Sequence, residues 1–455
     1  MISWKNFKYH ARELLHLGLP ILLGQLAQMS MNFVDSVVAG KAGTAHMAGV
    51  SIGGALWVPL LLFGQGILIP IGPLVAQGLG AGKKESLNRF WRQGIWLALM
   101  LAVLLVSLFS FGSYAYLHYL DVDKEMAEIA SKYVSYIKWG APAFLLFFVT
   151  RFFVEAKSYT RPAMIAGFIA LFCNIPLNFI FAFGYLGMPA LGGAGCGLAT
   201  AIVCWIMLFT MLYYLRKHSP YTMKINRPNL VIIMRVVRLG FPVACALLLE
   251  VSSFSLISLL ISPLGKTIVA GHQVAMTTSG LVFMFPLSLG TATSILVGRY
   301  LGAGDLVRAK ENRQTSMLMS LCVGVTCLCG MILFREEIAR LYSNDPMVIA
   351  LASSILIYTA IYQIPDNLQM SVLSALRGYN DTKAIFVFSC VSYWVLSVPI
   401  GYTLCYTNLF GKALGVYGFW TALILALTCM CILVNIRIAH LEKLDKEQIR
   451  AKLNK

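Results

Sequence analysis

Between Leu239 and Ser262 the chain reads LGFPVACALLLEVSSFSLISLLIS, about 24 nearly unbroken apolar residues with one acid, Glu250, near the middle. Rising 1.5 Å per residue, such a helix crosses the ~30 Å hydrocarbon layer of a bilayer. An ionised carboxylate at that depth costs several kcal/mol unless water, a cation or a partner receives it. The stretch opens on Leu239-Gly240-Phe241-Pro242, which repeats an earlier phrase, Leu17-Gly18-Leu19-Pro20. A spanning helix with a buried acid, set in a duplicated frame, constrains the rest of the chain.

Composition agrees with a membrane solvent. Of 455 residues, 58% are hydrophobic and 12% are charged, against roughly 25% charged in a soluble domain. The fold class is therefore an all-α polytopic membrane protein. A net charge of +17 would suggest nucleic acid in a soluble chain. Here it follows from cytoplasmic loops collecting Lys and Arg, and no nucleic acid partner is expected. The N-terminus is basic and amphipathic and runs straight into a span, so no cleavable signal peptide is expected. The eleven Cys lack zinc-site spacing and are read as reduced.

Apolar runs of spanning length number about twelve. They fall near 14–38, 47–75, 92–117, 128–152, 160–184 and 193–215, then near 236–262, 267–297, 313–334, 347–375, 380–405 and 413–438. The domains read as an N-terminal six-helix bundle over 1–215, a cytoplasmic linker over 216–235, and a C-terminal six-helix bundle with a basic tail over 236–455. With the N-terminus inside, about 28 of the 36 Lys and Arg lie on the cytoplasmic side. Both termini are then cytoplasmic.

The two halves are repeats. Leu17, Gly18 and Pro20 match Leu239, Gly240 and Pro242 at an offset of 222, and Leu79-Gly80-Ala81-Gly82 matches Leu301-Gly302-Ala303-Gly304 at the same offset. Six spans per repeat is an even number, so both halves face the same way. Two pseudo-symmetric bundles about an axis along the membrane normal, with a central cavity, are expected. The LGAG phrases read as helix ends with tight turns.

Among the 19 acids, three lie clearly inside apolar spans: Asp35, Glu250 and Asp366. No Lys or Arg lies at comparable depth in the sequence to neutralise them, so they should line an interior and bind a cation or protons. Tyr362 precedes Asp366 by one helical turn and can add cation–π attraction. Na⁺ would need several oxygen ligands, and Glu250 with Asp366 is the candidate site; a proton needs only a carboxylate. Asp35 follows Gln28 and Asn32 in the first span, the fifth span carries Asn174 and Asn178, and the eighth carries His272-Gln273. Polar residues of this kind also serve helix packing. Gln28 occupies the repeat position of Glu250, and Ile257 that of Asp35, so the two halves have diverged at this depth.

The segments LGLPILLGQLAQMSMNFVDSVVAG, VAQGLGAG, NIPLN, GAGCGLATA, RLGFPVACALLLE, GHQVA and LRGYNDTKA together resemble the NorM-type branch of the multidrug and toxic compound extrusion (MATE) family, over essentially the full length. The resemblance implies an antiporter that exports amphipathic, often cationic drugs against inward Na⁺ or H⁺, with no other cofactor. It implies a cation site at Glu250 and Asp366, and a coupling or substrate role for Asp35. The aromatic sometimes found in the eighth span near the cation corresponds to Phe283. A monomer in the bacterial inner membrane is the implied setting.

Other readings fare worse. A lipid-linked saccharide flippase should carry a basic central cavity for pyrophosphate, whereas the deep charges here are acidic. A membrane-embedded enzyme is disfavoured, because no HExxH, recognisable catalytic aspartate pair or phosphate-binding glycine loop is present. A major-facilitator transporter would show a basic loop pattern between spans two and three that is missing.

Overall fold

A computed structural model describes residues 3–118, 123–218, 226–409 and 412–454. Twelve helices among them are long and apolar enough to cross a membrane. They are α1 (Trp4–Ala42), α2 (Thr44–Gly80), α3 (Asn88–Ala115), α4 (Lys124–Ala156), α5 (Arg161–Phe183) and α6 (Gly193–His218), followed by α7 (Leu230–Leu264), α8 (Lys266–Gly302), α9 (Leu306–Leu333), α10 (Pro346–Gly378), α11 (Thr382–Tyr406) and α12 (Val416–Leu441). The physical reason for helices throughout is that lipid offers no hydrogen bonds, so each segment must satisfy its own backbone.

The boundaries carry the duplication into the backbone. Thr44–Gly80 recurs as Lys266–Gly302, and Lys124–Ala156 as Pro346–Gly378, each displaced by 222 residues. The punctuation recurs too. Asp123 caps α4 by accepting from the Glu125 and Met126 amides, and Asp345 caps α10 by accepting from the Met347 amide. After α2 and α8 the chain turns through left-handed glycines, Gly82 with φ 71° and Gly304 with φ 74°.

The chain divides into two compact units, and their boundaries differ from the expected domains. One unit is Pro20–Ala244; the other is Met1–Leu19 with Cys245–Lys455. The divisions thus fall beside Pro20 and Pro242, inside α1 and α7, and not in the 216–235 linker. Residues 219–225 of that linker lie outside the described residues; from Leu230 it is already helix α7. Its end is held within the Pro20–Ala244 unit. Gln93 Nε2 donates to the Arg227 carbonyl at 3.1 Å, and Trp96 Nε1 donates to the Asn226 carbonyl at 2.8 Å. In the other unit the first turns of α1 are tied to α8 and α9: Tyr300 donates to Glu13 at 2.5 Å, and Asn6 Nδ2 donates to Glu311 at 2.8 Å.

The second unit is organised around α10, which is buried almost all round from Tyr362 onward. Small residues bring its neighbours close. Thr293 of α8 bonds Ser316 of α9 at 2.6 Å, and Ser316 bonds Ser371 of α10 at 2.8 Å. This packing carries Asp366 into the interior.

Candidate functional site

Asp35 lies on α1 within the Pro20–Ala244 unit and is 6% exposed. Asn174 and Asn178 stand one turn apart on α5, so both amides face the same way. They donate to Asp35 Oδ1 at 3.1 and 2.6 Å. On α6, Thr200 donates to Oδ2 at 2.7 Å, and one turn before it the Cys196 thiol donates to the Asp35 carbonyl at 3.8 Å. Three donors from two helices thus hold the negative charge of this carboxylate in place. Asn178 also donates to Asn174 Oδ1 at 3.0 Å, while its own Oδ1 is buried without a partner.

The expected neighbours Gln28 and Asn32 do not join this cluster. Gln28 is half-buried and Asn32 exposed, and neither bonds the carboxylate among the described residues. The α6 hydroxyl of Thr200 takes their place. Its position one turn after Cys196 in GAGCGLATA was the available signal, but small polar residues at that spacing also serve plain helix packing.

In the other unit, Glu250 of α7 is half-buried and Asp366 of α10 is 1% exposed. The two carboxylates interact electrostatically, and both act on the buried hydroxyls of Tyr362 and Tyr393. Tyr393 comes from a π-helical stretch, Cys390–Ser397, inside α11. Such wide turns are rare and concentrate at functional positions. That stretch is fastened beside Glu250 on both sides: Trp394 Nε1 donates to the Leu249 carbonyl at 3.1 Å, and Ser253 donates to the Tyr393 carbonyl at 3.3 Å. The Tyr393 hydroxyl approaches Glu250 without completing a hydrogen bond.

Polar capacity is left over here. Asp366 Oδ1 accepts from Gln369 at 3.3 Å, but Oδ2 is buried without a partner. The same is true of Gln369 Oε1, Asn367 Oδ1 and Ser392 Oγ. Buried acceptors without donors are places for water or a cation. Oxygen-rich surroundings with two carboxylates suit a hard ion such as Na⁺, or protons held by the acids.

Several expected members are placed elsewhere. Gln273 is exposed, whereas its neighbour His272 is buried, paired with Ser258 at 3.1 Å and packed 5.8 Å from the Trp420 ring. Trp420 in turn meets Tyr362 edge-on at 5.9 Å, so His272 belongs to the aromatic wall of the site and Gln273 does not. Phe283 is half-buried and shares no ring contact with Tyr362 or Tyr393 among the described residues. Arg377, at the end of α10, is a buried basic residue that the sequence did not single out. It is 8% exposed, acts electrostatically on Glu250, and forms no ion pair with it among the described residues. Its place at the end of α10 hid it, because LRGYNDTKA reads as a loop boundary.

The comparisons agree with this architecture. The family model described as MatE matches residues 20–180 and 242–403, one segment in each repeat. The chain is 40% identical over 444 residues to a "Probable multidrug resistance protein NorM" of Shewanella oneidensis, covering 96% of both chains. It is 40% identical over 460 residues to the protein of the same name from Pasteurella multocida, covering 100% of this chain and 99% of that one. The fold matches the crystal structure of a eukaryotic MATE transporter at TM-score 0.87 and 18% identity, covering 99% of each. It also matches the outward-facing conformation of a multidrug resistance MATE family transporter at TM-score 0.85 and 18% identity, covering 96% of this chain and 97% of that one. With a family model spanning both repeats and relatives alike over nearly the whole length, the chain belongs to the MatE, or multidrug and toxic compound extrusion, family of membrane transporters, and is not an enzyme.

Proposed function

We propose that the protein is a secondary multidrug antiporter that exports amphipathic, often cationic drugs in exchange for inward Na⁺ or H⁺. The observation that carries this reading is the gathering of Glu250, Asp366, Tyr362 and Tyr393 around buried, unpartnered acceptors within one unit. A cation or proton arriving there neutralises two acids that form no ion pair among the described residues. Asp35, held by Asn174, Asn178 and Thr200 in the other unit, is the second titratable centre. Being built differently from the Glu250/Asp366 pair, it has a different task, coupling protonation to drug binding. The names of the two NorM relatives support drugs as the cargo.

Antiport requires that drug and ion prefer different states of one protein. Ion binding at Glu250 and Asp366 favours the state that releases drug outward; drug arriving from inside favours ion release inward. The reading sets a monomer in the bacterial inner membrane, with both termini in the cytoplasm as the Lys and Arg bias indicates. The test is drug uptake into proteoliposomes with Na⁺ and proton gradients imposed separately. Uptake driven by one gradient, and lost in Glu250→Gln and Asp366→Asn, supports the reading. Uptake indifferent to both gradients would overturn it.

A further inference from the structure

A cavity of about 600 Å³ opens in the Pro20–Ala244 unit, where the C-terminal ends of α1 and α5 meet the start of α2 and the chain entering α6. Its polar lining is Lys41, His46, Lys132 and Tyr136, and no acid is among its lining residues. A cavity of this size lined by basic groups and no acid suits an occupant of opposite sign.

Two of the basic groups, Lys41 and His46, have partners in the wall. The Lys41 ammonium lies over the Phe179 ring, 5.8 Å from its centroid. His46 Nδ1 accepts from the Gly193 amide at 3.2 Å. That bond puts the proton of the neutral imidazole on Nε2, so the ring offers a donor. The wall behind it is fixed by backbone pairing: the Leu191 and Gly192 amides donate to the Phe181 and Ala182 carbonyls at 2.9 and 3.0 Å. Gly192, with φ 58°, lies against the His46 ring, where a Cβ would collide with the imidazole. Lys132 has a loose, exposed pair with Glu128 at 4.0 Å. Such a pair contributes little and yields readily to a better anion.

Apolar surface completes the lining, from Ile129, Phe183 and Leu191. Cations, donors and aromatic or aliphatic walls together fit an amphipathic acid: a carboxylate at Lys41, His46 and Lys132, with an apolar body against Phe183 and Ile129. We propose that this cavity binds the carboxylate of amphipathic aromatic acids. The cavity borders the Asp35 cluster through the chain. Ala182 is one turn beyond Asn178, and Ala194 precedes Cys196 by two residues. The binding itself does not rest on ion-coupled export.

The test uses the full chain in nanodiscs of zwitterionic lipid, titrated calorimetrically with 2-naphthoate. Its cationic counterpart, 2-naphthylmethylamine, serves as control. Saturable 2-naphthoate binding that weakens in about 0.5 M KCl is expected, because exposed charge pairs are screened. Lys41→Gln with Lys132→Gln should weaken 2-naphthoate on the order of tenfold, equivalent to ~1.4 kcal/mol. It should leave the melting temperature and the amine's affinity unchanged. Lys41→Arg with Lys132→Arg should retain binding, and Glu128→Gln should tighten it by freeing Lys132. Absence of 2-naphthoate binding to the parent protein, or equal affinity in the double Gln variant, would overturn the proposal.

Discussion

Gly240 of α7 packs so closely on Ile67 of α2 that a Cβ would run into the Ile67 backbone. Its repeat counterpart Gly18 packs on Leu289, the counterpart of Ile67, with the nearest Leu289 atom 3.8 Å from where a Cβ would stand. Each repeat therefore lends the start of its first helix to the second helix of the other repeat. This exchange is why the compact units divide at Pro20 and beyond Ala244.

The same pair of glycines makes an asymmetric prediction. Gly240→Ala forces backbone apart and should cost roughly 1–3 kcal/mol or more, as overpacking does. Gly18→Ala has ordinary contact distance and should be nearly neutral. Melting temperatures in detergent check this, and equal losses for the two variants would contradict the geometry.

At Asp35 the amide variant keeps size but changes hydrogen-bond character. Asp35→Asn removes the titrating group, while its amide oxygen can still accept from Asn174 and Asn178 and its NH2 can donate to the Thr200 hydroxyl. Normal membrane abundance with drug export largely lost is expected. Thr200→Val, which removes one charge-assisted bond of roughly 1.5–3 kcal/mol, should reduce export less than Asp35→Asn. Full export by Asp35→Asn at normal abundance would assign the residue to folding alone.

Glu250→Gln and Asp366→Asn should each abolish ion-driven export while drug still binds. Tyr393→Phe keeps the ring packing against Phe254, 6.1 Å away, and loses only the hydroxyl. It should weaken apparent ion affinity several-fold, consistent with one lost ligand or hydrogen bond. Export measured against ion concentration separates these outcomes, and an unchanged half-saturation in Tyr393→Phe would remove Tyr393 from the site.

If Glu250 takes the coupling ion as proposed, Arg377 would compete with it, since two cations near one carboxylate repel. Arg377→Gln should therefore tighten apparent ion affinity, and Arg377→Lys should leave it near the parental value. A weaker affinity in Arg377→Gln would show that the guanidinium only supports the local fold.

Read from the residues alone, the chain already declares its twelve spans, its duplication at 222 residues, and the three acids that reach the interior. These are legible because hydropathy, charge bias and repeats are local properties, written along one strand of text. The company each acid keeps is a different matter, decided by packing between helices far apart in sequence. Adjacent residues on a helix point about 100° apart, so His272 turns into the aromatic wall while Gln273 turns out. Asn32 lies on the same helix as Asp35 and still stays exposed, whereas Thr200 arrives from α6, 165 residues away. Tyr393 enters through a π-helical widening that no spacing rule announces, and Arg377 through the depth at which α10 is buried. The residues determine which groups must be hidden from lipid; only the tertiary structure decides which of them meet.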